Sequence, residues 1–161
     1  ATMGKRTGIL GNFIVGACVG LPFVYGGFVV ESGLMPTLVL FAAMAFFSTI
    51  GREVTKGIVD VEGDRLQNVK TLAVLYGSRV AAVTAAVFYI VAVILSFFPW
   101  VLGEVSAWYL PFVILADIGF ILSSAFLLRD YSRENARRVK RLARVWMVMS
   151  LLAFVAGTFG R

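Results

Sequence analysis

Histidine is absent from the 161 residues, which excludes histidine metal sites and histidine general bases within the chain. The single cysteine, Cys18, cannot close an internal disulfide and reads as inert packing in an apolar stretch. Charge is scarce too. Only 15% of the residues are Asp, Glu, Lys or Arg, against 60% hydrophobic, and mean hydropathy is +0.89, a balance foreign to water-soluble domains. The signal-peptide pattern is missing, since Lys5 and Arg6 precede a full-length apolar block with no small-residue cleavage site. The opening Ala1-Thr2-Met3-Gly4 reads as a cut from something longer.

What is abundant is apolar sequence in blocks near the roughly 20 residues that a spanning helix needs. Residues 8–30, 32–51 and 80–103 hold no charge, 105–128 is interrupted only by Asp117, and 145–160 is short but clean. The blocks are too long for spanning strands, and unpaired backbone in lipid is costly, so each reads as a helix. The expected fold is all-α: a transmembrane helical bundle forming one region over 1–161, with spans at about 8–30, 34–58, 72–99, 105–128 and 142–160. Gly16 and Gly20 have the small-xxx-small spacing that lets helices approach closely, and Pro22 permits a kink. Turns are expected near Ser32-Gly33 and Gly103-Glu104.

A formal charge of +6 would suit nucleic acid, but the placement of the cations argues for a membrane instead. If the spans thread in turn, Lys5 and Arg6 share a side with segments 52–79 and 129–144. Fourteen of the fifteen Lys and Arg residues fall there, with Arg161 the exception, while the opposite loops carry Glu31 and Glu104. The positive-inside rule makes the basic side cytoplasmic in an integral protein of the cell membrane. The 129–144 segment, with seven cations against Asp130 and Glu134, reads as a solvated connector drawn to anionic lipid head groups.

Segment 52–79 is the longest polar interval, and function is sought there first. At 3.6 residues per turn Arg52, Lys56, Asp60 and Asp64 form a stripe along one helix face, two cations followed by two carboxylates, with Glu53 and Glu62 off it. Gly63 loosens the helix near its end. Carboxylates one turn apart suit Mg²⁺, which takes one or two of them and completes its octahedron with water and phosphate oxygens. Lys56 and Arg52 would meet the same phosphates, stabilising a departing diphosphate. The competing reading is an i, i+4 salt-bridge ladder on a helix end emerging into water.

Arg52-Glu53-x-x-Lys56-x-x-x-Asp60-x-Glu62-Gly63-Asp64-Arg65, followed by Lys70-Thr71-Leu72, resembles the second aspartate-rich motif of the UbiA superfamily of intramembrane prenyltransferases. Lys5-Arg6-Thr7 resembles the segment that opens the fifth helix in that family, and Asn12 lies where relatives often place a polar residue. The resemblance implies nine helical spans around a cytoplasmic-side cavity, of which this chain would supply five to nine. It also implies Mg²⁺-assisted ionisation of an isoprenyl diphosphate to an allylic cation that an acceptor captures. On that basis Asp60 and Asp64 are metal-side residues and Lys56 a diphosphate contact. Arg52, Lys5, Arg6 and Asn12 are further substrate-binding candidates. The family's first motif, of the N-D-x-x-D type, is nowhere in the sequence, so the N-terminal part of the same enzyme is an implied partner and the chain alone should be inactive. Many relatives have an acidic residue where Gly57 stands, which leaves the metal count open. The Arg-Glu opening and Glu-Gly-Asp-Arg ending are more like the archaeal ether-lipid branch than the quinone branches, although chlorophyll synthases share part of the ending. The implied donor is thus a geranylgeranyl diphosphate and the implied acceptor a lipid, geranylgeranylglyceryl phosphate, rather than an aromatic ring.

Asp117, in the middle of the fourth span, should face the bundle or a wet cavity, either as a tie to Asn12 or a hydroxyl or as a substrate contact. Phe13, Phe23, Phe28, Phe41, Phe46 and Phe47 are candidates for a prenyl-tail channel as well as for packing. Trp100, Trp108 and Tyr109 read as interfacial belt residues. Two rival functions stand beside the prenyltransferase. A CDP-alcohol phosphotransferase would need a D-G-x-x-A-R stretch, which is absent. A transporter or non-catalytic membrane subunit would bind no diphosphate.

Overall fold

In the computed structural model, which describes residues 8–30 and 36–159, every regular element is a helix. They are α1 (Gly8–Val30), α2 (Pro36–Val59), α3 (Val61–Leu66), α4 (Leu72–Ser96), α5 (Phe98–Val101), α6 (Tyr109–Arg129) and α7 (Arg133–Thr158). Lys5, Arg6 and the turn expected at Ser32-Gly33 lie outside the described residues. By length and composition α1, α2, α6 and α4 continued through α5 can each cross a bilayer. The chain is an all-α helical bundle of an integral membrane protein. The fifth expected span takes a different form. Helix α7 has ample length at 26 residues but begins at Arg133, inside the cationic segment, so its first half is charged and only its second half is apolar.

Between membrane helices there is little hydrophobic drive, so association rests on close packing and hydrogen bonds. The sequence supplies both. The buried face of α4 is largely alanine (Ala73, Ala81, Ala82, Ala85, Ala86, Ala92), which lets α2 and α6 come close. Helices α2, α4, α6 and α7 pack each on the next, and α7 returns to α2 to close a ring; α1 lies outside it against α2. That last contact uses the expected small residues. A methyl at Gly20 would sit 2.9 Å from the Ala42 carbonyl oxygen, and one at Gly16 would sit 3.0 Å from Phe46 and Ile50 side-chain atoms. Helix α1 runs through Pro22 as one element. Cys18 is exposed on its outward face rather than packed.

The two ends of the bundle are tied separately. At one, Gly8 abuts the Lys70 carbonyl, placing the start of α1 beside the 60–71 segment. At the other, the Ser106 amide donates to the Gly157 carbonyl at 3.0 Å, and Gly103 makes the expected turn with φ 68°. Trp100 and Trp108 are exposed near this end, as belt residues should be. Tyr109 is not one of them: it is fully buried, and its hydroxyl donates to the Ser96 carbonyl at 2.8 Å. An α4 carbonyl freed at a helix end gives this tyrosine a better partner than the interface would.

Candidate active site

The continuous stripe expected over Arg52–Asp64 is interrupted, at Asp60 rather than at Gly63. Helix α2 ends at Val59, Asp60 adopts φ −101° and ψ 9°, and α3 starts again at Val61. The i, i+4 geometry nevertheless carries across the break, since the Asp60 amide donates to the Lys56 carbonyl at 3.0 Å and the Asp64 amide to the Asp60 carbonyl at 2.8 Å. Asn68, with φ 53°, then reverses the chain so that the Val69 amide reaches the Asp64 carbonyl at 2.8 Å. This fold-back brings Thr71 near the Asp64 carboxylate, and its hydroxyl caps α4 by accepting from the Val74 amide at 3.4 Å.

The electrostatics follow from that placement. Partial burial pushes the Asp64 carboxyl above its usual range, the Asp60 charge pushes it further, and the Lys56 ammonium and the Thr71 hydrogen bond pull it back. Asp60 and Lys56 therefore both act on Asp64. The salt-bridge ladder does not form. Glu53, which falls off the stripe, takes both cations: Arg52 Nη1 at 2.8 Å from Oε1 and Lys56 Nζ at 3.3 Å from Oε2. No ion pair to Asp60 or Asp64 occurs among the described residues. Two carboxylates one turn apart, held against their mutual repulsion, fit a Mg²⁺ ion whose other ligands are water and phosphate oxygens. Among the described residues no third His, Cys, Asp or Glu converges on them or anywhere else to complete a protein cage.

A second feature lies deeper. A cavity of about 490 Å³ opens between α1, α2 and α7, with Ala92 of α4 and Asp117 and Phe120 of α6 along one side. Phe23 and Phe41 line it, as do Met44, Leu151 and Phe154. The other aromatic candidates go elsewhere: Phe13 and Phe47 pack with Phe88, Phe46 packs with Phe13 and Phe47, and Phe28 is exposed. Of the basic residues expected at the site and described, Arg52 borders this cavity and Lys56 does not; Arg144 of α7 joins it. Asp117 borders it too, and is tied to α4 through Ser96, whose Oγ lies 2.7 Å from Oδ2. The hydroxyl partner is thus Ser96 and not Asn12, which lies partly buried one turn into α1 and away from the cavity wall. Sequence reasoning missed Glu53, Thr71 and Arg144. Only Thr71 carried a local signal, as a hydroxyl residue directly before an apolar helix.

The comparisons agree with the motif. Residues 2–156 match the model of the UbiA prenyltransferase family. The chain belongs to that family. It is 36% identical over 154 residues to digeranylgeranylglyceryl phosphate synthase of Methanothermobacter thermautotrophicus, covering 96% of this chain and 54% of the relative. Its identity to the enzyme of that name from Thermococcus kodakarensis is 38% over 159 residues, covering 98% and 55%. A solved structure reported for digeranylgeranylglyceryl phosphate synthase in membranes superposes with a TM-score of 0.89 at 34% identity, over 95% of this chain and 54% of that one. The chain spans about half the length of these relatives.

Proposed function

We propose that the chain forms the C-terminal half of a digeranylgeranylglyceryl phosphate synthase, transferring a geranylgeranyl group from its diphosphate to the free hydroxyl of geranylgeranylglyceryl phosphate at the cytoplasmic side of the membrane. The observation that carries this reading is the Asp60–Asp64 pair with Lys56 above it, held together by the helix break in a family member whose relatives bear that name. The N-terminal half, with a first aspartate motif, would supply the facing wall of the inner mouth.

Asp60 and Asp64 would hold Mg²⁺, which when bound neutralises charge growing on the diphosphate as the carbon–oxygen bond breaks. Lys56, half exposed at the same mouth, places a point charge on the leaving group, and Glu53 orients it. Thr71 holds the Asp64 carboxylate in position through its hydroxyl. The apolar cavity wall of Phe23, Phe41, Met44 and Phe154 shields an allylic cation from water until the acceptor oxygen reaches it.

In the full-length enzyme, Asp60→Ala and Asp64→Ala should each abolish transfer while leaving a helical protein that extracts normally. Unchanged turnover in either variant rejects the assignment. Calorimetry with Mg²⁺ and a non-hydrolysable prenyl diphosphate separates the enzyme from a non-catalytic membrane subunit, for which no binding is expected. Faster transfer to an aromatic acceptor than to the glyceryl phosphate would move the protein to a quinone branch.

A further inference from the structure

The two basic residues expected to share one phosphate group differ in their surroundings, although both pair with Glu53. Lys56 is half-exposed and does not border the cavity. Arg52, one turn earlier, borders the cavity, where it is joined by Arg144 from the neighbouring helix α7. Lys56 lies four residues beyond Arg52, about 6 Å along the axis at 1.5 Å per residue, so the two cationic positions are one turn apart.

Both guanidinium groups border one apolar cavity, and their charges are only partly answered there. Glu53 answers one nitrogen of Arg52 but is shared with Lys56. Arg52 Nε is buried without a hydrogen-bond partner, and Arg144 has no ion pair among the described residues. Asp117, the other acid on the cavity wall, is engaged with Ser96. A buried guanidinium nitrogen without a partner, beside a second cation without an ion pair, suits an anionic ligand. The planar fork of arginine suits phosphate oxygens in a bidentate grip and needs no metal, unlike a carboxylate pair.

We propose that Arg52 and Arg144 bind the phosphate of the acceptor lipid, and so select a phosphorylated acceptor over an uncharged one. This assignment rests on the proposed function, in which a reaction with two anionic substrates must keep two anions apart. The diphosphate of the donor goes to the metal-binding carboxylates and Lys56, and the phosphate monoester of the acceptor goes to the guanidinium pair. The acceptor's hydrocarbon tail then lies along Phe23, Phe41 and Phe154.

The test uses full-length enzyme in bilayers of zwitterionic lipid, with KM measured separately for donor and acceptor. Arg52→Gln and Arg144→Gln should each raise the acceptor KM at least about tenfold, the cost of losing a charge-assisted hydrogen bond. The donor KM should stay within about twofold, and Arg144→Lys should recover part of the loss. An acceptor ether lacking the phosphate should be a poor substrate whose KM neither variant changes. A rise in donor KM, or equal losses with phosphorylated and phosphate-free acceptors, overturns the assignment. So does an effect that disappears when anionic lipid is added, because the site would then serve bulk head groups. Arg144 is exposed, so its variant tests the proposal even if Arg52→Gln fails to fold. Wild-type enzyme that transfers nothing to the glyceryl phosphate overturns the proposed function and this assignment together. Wild-type activity with an unmoved acceptor KM in both variants overturns only this one.

Discussion

Helix α7 is fastened to α6 at a point where a single methyl group should be felt. The Trp146 indole lies flat across Gly119, and its Nε1 donates to Ser123 Oγ at 3.1 Å, one turn further along α6. An alanine methyl at position 119 would fall 2.7 Å from Trp146 Cε3 and closer still to Cδ2 and Cε2. Carbon contacts settle at about 3.5–4.0 Å, so the ring has to retreat by roughly 1 Å. That retreat lifts Nε1 out of reach of Ser123, a buried hydroxyl. Overpacking costs about 1–3 kcal/mol and the broken hydrogen bond about 1 kcal/mol, so Gly119→Ala should destabilise the full-length protein by about 2–4 kcal/mol. The assay is reversible unfolding in mixed micelles by SDS titration, followed by tryptophan fluorescence and helical circular dichroism. In a Trp146→Ala background the clash partner is gone, and Gly119→Ala should become neutral or slightly stabilising, because alanine is the better helix former. A double-mutant cycle with no coupling, or a Gly119→Ala variant as stable as the parent, would refute the argument.

Other consequences concern the inner mouth and the α2–α4 contact. Because Asp64 titrates above the ordinary carboxylate value of 3.8, the folded state holds more protons than the unfolded one between the two values. Stability from this group is complete below the unfolded value and is lost as pH rises through the folded one. Removing the neighbouring charge with Asp60→Asn should lower the Asp64 midpoint in metal-free protein, read by carbonyl NMR titration, and should make that protein more stable at pH 7 while abolishing transfer. A midpoint that stays put breaks the coupling. Gly77 sits inside α4 at φ 85° and ψ 163°, a region essentially closed to other residues, so Gly77→Ala should cost about 1–3 kcal/mol in the same unfolding assay despite open space around its methyl. No loss would mean that α4 straightens freely there. Thr55 spends its proton on the Gly51 carbonyl at 2.8 Å, so Tyr89 must be the donor in the 3.1 Å bond between them. Tyr89→Phe should lose about 1 kcal/mol, and a larger loss than Tyr89→Leu would refute this, since the stacked ring on Phe120 is retained only by Phe.

The helices themselves were legible because lipid allows few alternatives: an uncharged block of spanning length has to pair its backbone internally. The tight α1–α2 approach was legible from Gly16 and Gly20 for a related reason, small residues being the means by which helices meet without water. The first half of α7 was not. Its cations read as a connector, yet Ala136, Val139 and Ala143 are buried at helical spacing among them, a narrow stripe outweighed by the charges around it. Tyr109 was misplaced because its partner is the Ser96 carbonyl, and which helix end comes near is a tertiary fact. Within the site, Asp60, Asp64 and Lys56 were found because they are local in sequence. Arg144 was invisible because it comes to the same cavity as Arg52 only once α7 packs against α2.

Which acid meets which cation at this mouth is set by order along the chain. Asp60 stands one turn beyond Lys56, in the cation-first order that is the weaker for pairing, and Asp64 stands two turns beyond it, a spacing that carries across the end of α2. Glu53, next to Arg52 and three residues before Lys56, takes both cations within α2 and leaves Asp60 and Asp64 without an ion pair. A pair of carboxylates satisfied by lysine would have little affinity left for a metal. Glu53 therefore has an indirect role: by occupying Arg52 and Lys56 it keeps them from quenching the acidic pair. Glu53→Gln should release both cations, lower the Asp64 midpoint by bringing Lys56 nearer, and weaken Mg²⁺ binding in calorimetry. Mg²⁺ affinity equal to that of the parent would show that the division of charge at this mouth does not depend on Glu53.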